Sequence, residues 1–262
     1  MGSEMCIRDR YFTPESVAKE QGIIGQEIRM CNDDPGWRVF FNMLSGLYQK
    51  HPVRIDIAGT IESIAQITDD LLYRCYRTFY NLHNMVLAVA GNCTADQVLE
   101  IADELLKPCE DQKLETVFPE ESLDIVRPET VESAAVGQTL FNLGIKIAPK
   151  TGYANLKAEM EATIAMQILA GTSSPLYQKM LQEGYINSVF STEVFNGDGF
   201  FTMIFGGESR EPRVVRKEIT EALLNAQKNG LDEALFAECK KSTYGALVRE
   251  LNNVSAVTNA LV

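Results

Sequence analysis

From Thr13 onward the apolar positions fall at helical spacing in long stretches, broken by short clusters of turn residues. Thr13 stands as an N-cap before Pro14 at the first helical position, and Val17, Ile23, Ile24 and Ile28 carry a predicted helix to about Met30. Asn32-Asp33-Asp34-Pro35-Gly36 ends it. A second helix is predicted from roughly Trp37 to Gln49, leading into the loop Lys50-His51-Pro52, and Thr68-Asp69-Asp70 caps a third that runs to about Tyr80. Met85 to Ala90 is a short continuous apolar run, the pattern of a buried strand. Gly91-Asn92-Cys93-Thr94 then turns the chain into another helix, with Thr94 and Gln97 at capping-box spacing.

Residues 108–130 break this pattern. Pro108, Pro119 and Pro128, together with seven Asp/Glu, can neither continue a helix nor sit inside a sheet. We expect a linker over 111–130 between a first domain at 11–110 and a second at 131–262. In the second, Gln138 to Ile147 reads as a strand, Ala154 to Ala170 and Ser174 to Gln182 as helices, and Val189 to Phe195 with Phe200 to Phe205 as a hairpin around Asn196-Gly197-Asp198-Gly199. A last helical region starts near Pro212. Both halves mix helices with strands, so the predicted class is α+β, and no internal repeat is visible.

With 262 residues, 45% of them hydrophobic, the chain can build one large core or two medium ones. A formal charge of -12 with no local Lys/Arg cluster argues against nucleic acid as a partner. No apolar run is long enough to cross a bilayer, so we expect no membrane partner and a soluble, cytoplasmic protein. The six cysteines are scattered without a C-x-x-C pair, which reads as reduced thiols. Residues 1–10, MGSEMCIRDR, have no periodicity; Met5 to Arg10 resembles translated sequencing-adapter strings, and we expect residues 1–10 to be a non-native leader.

The candidate chemistry lies in the first helix. Glu20 and Glu27 are seven positions apart in EQGIIGQE, which puts them within about 20° of each other on an α-helix, one two turns above the other. Ile23, Ile24 and Ile28 crowd the neighbouring stripe, so at least one acid is expected near the core boundary, where a carboxylate is costly unless paired or metal-bound. From spacing alone, two solvated acids on an amphipathic helix is the plainer alternative.

The wider stretch KEQGIIGQEIRMCNDDPGWR, followed by LYQKHPVRIDIAGTIESIAQIT and FYNLHNMVLAVAGN, resembles the M16 family of zinc metallopeptidases, the insulinase and pitrilysin group. The resemblance is greatest to the bacterial members associated with 5-aminopentanol modification of elongation factor P, and it covers nearly the whole chain from Tyr11. It implies two M16-like α+β domains, the first truncated at its N-terminus and the second incomplete at its C-terminus. In that family an H-x-x-E-H motif supplies two His ligands and a general base, and a distant Glu completes a Zn2+ site. Glu27 matches that third ligand, and Glu20 matches an acid that orients ligands or peptide from behind it.

The other ligands are absent from the sequence. His51 and His83, the only histidines, are 32 positions apart, and no H-x-x-E-H exists. We therefore expect a fragment whose motif lies upstream, inactive alone and unable to hold zinc stoichiometrically. His51 is expected to be an exposed loop histidine and His83 a structural one. In GTSSPLYQKMLQEGYINSVF, Leu181 and Asn187 fall where the resemblance implies an Arg and a Tyr that grip substrate carbonyls. Ser173 and Ser174 have no His/Asp companions, and helix capping is the expected task. The implied partners are a peptide substrate and another M16-like subunit, in a homo- or hetero-oligomer. The alternative is a zinc-less member that holds peptide or acts as a scaffold for an active peptidase.

Overall fold

The computed structural model describes residues 11–261; the expected leader at 1–10 lies outside them. The class is α+β. Along the chain come helices α1 (Pro14–Asp33), α2 (Pro35–Leu47), α3 (Ile61–Ile64), α4 (Asp69–Phe79) and α5 (Ala95–Leu105), then β1 (Leu140–Lys146), α6 (Gly152–Ala170), α7 (Pro175–Gln182), β2 (Ser191–Gly197), β3 (Phe200–Glu208), α8 (Pro212–Asn229), α9 (Glu233–Glu250) and α10 (Val254–Ala260). Two compact units interleave along the sequence. One comprises the chain up to Ile28, Gly59–Val117 and the chain from Tyr244; the other comprises Arg29–Ala58 and Phe118–Thr243. The 111–130 segment, expected as a linker, contributes to both units.

In the second unit the strands form one antiparallel sheet in the order β1-β3-β2. Gly197 pairs with Phe200 across Asp198-Gly199, so the predicted hairpin closes on two residues, with Gly199 at φ +79°. β3 is central, and Phe201 to Phe205 are all buried, as a strand covered on both faces requires. Against one face pack Met166 and Ala170 of α6, Tyr177 and Met180 of α7, and Val215 and Ile219 of α8. α2 packs against β1, and its Leu44 and Leu47, with Tyr48 just beyond it, form a second cluster with Phe195 and Phe200. Gly144 makes the close approach of α2 possible: a Cβ there would come within 2.6 Å of Leu47 Cδ1 and 2.7 Å of Met43 Sδ.

The first unit is poor in core. Val17, Gly25, Ile28 and Ile64 are buried, but α4 and α5 bury no residue fully. Met85 to Ala90, predicted as a buried strand, is extended at its start but unpaired, and Val86 is 75% exposed. An apolar run becomes a strand only when another backbone meets its N–H and C=O groups, and among the described residues none does. The helix caps are those the spacing predicts: Thr68 and Thr94 accept from the Leu71 and Gln97 amides, and the Thr94–Gln97 capping box is complete.

Candidate functional site

α1 begins where Thr13 and Ser16 exchange backbone-to-side-chain hydrogen bonds, with Pro14 in its first turn. Its packed stripe is Val17, Gln21, Gly25 and Ile28. Gln21 donates through Nε2 to the carbonyls of Ile64 and Ile67 at 3.0 and 2.8 Å, and Gly25 lies so close to α3 that an added Cβ would sit 3.4 Å from Ile61 Cδ1. Glu20 and Glu27 lie off this stripe. Both are exposed, and neither has a hydrogen-bond or ion-pair partner among the described residues. The expectation that one of them sits at a core boundary is corrected: of Ile23, Ile24 and Ile28, which motivated it, only Ile28 is buried, and both acids are exposed. Between Val17 and Ile28 the stripe runs through a glutamine and a glycine, which a hydrophobic pattern does not register.

The histidines take structural roles in different units. In the first, Asn81 Oδ1 accepts from the His83 amide, and His83 Nε2 donates to the Cys109 carbonyl at 3.0 Å. In the second, His51 is buried, against expectation. Its Nε2 donates to the Asp198 carbonyl at 2.9 Å, its Nδ1 accepts from the Val53 amide at 3.1 Å, and its ring stacks on Phe118 at 4.9 Å between centroids. Both nitrogens being engaged, the ring has no lone pair to offer a metal. Among the described residues no group of three His, Cys, Asp or Glu could hold a metal ion. Glu20 and Glu27 alone, with no imidazole or thiolate companion grouped with them among the described residues, do not fit a zinc site.

Ser174 caps α7, fully buried, accepting from the Tyr177 amide at 3.0 Å, as expected. Asn187 is committed to the fold: its amide donates to Glu208 Oε2 at 2.6 Å and its oxygen accepts from the Val189 amide. Leu181 is partly exposed and brings no donor.

No sequence pattern marks the charged node in the second unit. Glu121 accepts from the successive amides of Gln49, Lys50 and His51, each at 2.8 Å, and pairs with Lys146 Nζ at 2.6 Å. Lys146 also donates to the Leu47 carbonyl and lies 4.6 Å from the centre of the Tyr48 ring, whose hydroxyl bonds Thr202. Burial raises the carboxyl's affinity for its proton, but the Lys146 bond and the three amides outweigh it and hold the pKa at about 2. Burial pushes the Tyr48 phenol upward. Glu121 falls in the acid- and proline-rich segment taken for a linker, and no local pattern marks which of its acids is buried.

Comparison with known proteins places the chain in a class that this architecture suits. Residues 66–243 match the family described as "Peptidase M16 inactive domain", and the chain belongs to the M16 peptidase family. It is 36% identical over 262 residues to a Bacillus subtilis protein named as the uncharacterized zinc protease YmfH, a match taking in 97% of this chain and 60% of that protein. Among solved structures it superposes on an M16-like peptidase from Alicyclobacillus acidocaldarius with a TM-score of 0.92 and 33% identity, over 98% of this chain and 62% of that one. A protease from Helicobacter pylori shares the fold at a TM-score of 0.76 and 17% identity, over 95% and 62% of the two chains. The chain spans little more than half the length of the curated relatives that it matches first.

Proposed function

We propose that this chain is part of a zinc-dependent M16-type endopeptidase acting on peptides, with Glu27 as the third metal ligand and Glu20 as the acid that orients the ligand set. The supporting observation is that both acids stand exposed on one helix with no partner among the described residues, in a chain 36% identical to a protein named as a zinc protease. The imidazole ligands and general base would come from outside the described residues. This reading places the peptidase in the cytoplasm, with a second M16-like subunit as partner, and keeps elongation factor P modification as its nearest biological setting.

A zinc-less scaffold or peptide-holding role is the second reading. It is favoured by the match of residues 66–243 to a family described as an inactive domain, whereas Asn187, its amide spent on Glu208 where the resemblance implies a carbonyl-gripping Tyr, fits a zinc-bearing subunit that works with a partner.

Metal analysis of the dialysed chain should find well under one zinc per chain. In the chain completed to the length of its relatives, Glu27→Gln should lose zinc together with activity, whereas Glu20→Gln should lose roughly 10- to 100-fold in affinity or activity. Full zinc content in Glu27→Gln would remove Glu27 from the ligand set, and no zinc in the unsubstituted completed protein would decide for the scaffold.

A further inference from the structure

Arg74 and Arg77, three positions apart on α4, line a cavity of about 460 Å3 in the first unit with Asp70, Tyr73, Thr78 and Gln112. In a chain with 36 acids to 24 Lys and Arg, neither guanidinium has an ion-pair partner among the described residues. Asp70 borders the same cavity without pairing to either. The Arg77 guanidinium carbon lies 5.8 Å from the Tyr73 ring centre, which restrains it. The Tyr73 hydroxyl accepts from the Phe12 amide at 2.9 Å, leaving its proton to donate.

Through Gln112 this cavity adjoins a second, of about 250 Å3, bordered by Lys113, Asp111 and His83. Lys113 is the one described non-glycine residue with positive φ, +45°, and Asp111 Oδ1 holds it there by accepting its amide proton at 2.9 Å. Such strain collects at ligand-binding segments. Two cations thus line the first cavity beside Asp70 and a third lines the second beside Asp111, with Gln112 common to both, and the two in the first carry the planar fork that matches a carboxylate.

We propose that Arg74 and Arg77 bind a peptide carboxylate, with the peptide continuing past Gln112 toward Lys113. Two sources share this chemistry, a C-terminal carboxylate and an acidic side chain. Only the choice of a peptide as carrier rests on the peptidase reading. Binding is measured without metal or turnover, so loss of the zinc assignment leaves the result intact.

The test is fluorescence anisotropy of the chain at moderate salt with three labelled hexapeptides of one neutral sequence: free C-terminus, C-terminal amide, and amide with one internal Glu. At least one acidic form should bind more tightly than the neutral amide, and which one identifies the source. Arg74→Ala/Arg77→Ala should weaken that binding by about tenfold or more, the size of one lost charge-assisted hydrogen bond. Arg74→Lys/Arg77→Lys should recover part of it, because charge returns without the fork. Circular dichroism checks that α4 persists, as Ala on an exposed helix face allows. Equal binding of all three peptides, undiminished binding by the alanine variant, or equal competition by sulfate would each overturn the assignment.

Discussion

Glu121 shows what one side chain does to the acid limb of stability. Only 5% of it is exposed, and 4% of Lys146, so the pair lies where removing one partner strands the other. Glu121 titrates near 2 in the folded protein against 4.5 ordinarily, so the stability it contributes is fully present above about pH 5 and is lost as pH falls from 4.5 toward 2. Acid titrations of unfolding should therefore slope downward through that window, and Glu121→Gln should flatten the slope while lowering stability at neutral pH. Lys146→Met leaves a buried carboxylate with three amides but no cation, and a loss of about 3–5 kcal/mol in chemical denaturation is expected. A change below 1 kcal/mol would show that the amides suffice.

At the scale of elements, two positions set opposite tests. Gly144 lets α2 approach β1, so Gly144→Val should overpack the interface and cost about 1–3 kcal/mol, or more if α2 cannot shift, read as a lower unfolding midpoint with unchanged m-value. Met85 to Ala90 is an open apolar run of the kind that recruits other strands. Val86→Lys/Leu87→Lys should raise solubility and lower thioflavin-positive aggregation without changing helix content. The first position was legible only as a glycine inside a strand pattern. The second was legible as apolar, but its pairing depends on a neighbour that periodicity does not name. Helix starts were read well, because a cap is a local event within four residues, as at Thr68, Thr94 and Ser174.

For the whole molecule, the α+β class and the hairpin were legible, whereas the interleaving of the two units was not, since hydrophobic spacing carries no information about which distant segments meet. The same limit hid the candidate site's surroundings: Glu20 and Glu27 were visible as a spacing, but their exposure followed from a glutamine and a glycine on the packed face. Interleaving also has a temporal consequence. Tyr48 meets Thr202 across 154 positions of chain. At the usual pace of synthesis that separation corresponds to about 8–30 s during which α2 has left the ribosome but β3 has not. Leu44, Leu47 and Tyr48 wait throughout that interval for Phe195 and Phe200, the distant side chains that complete their cluster.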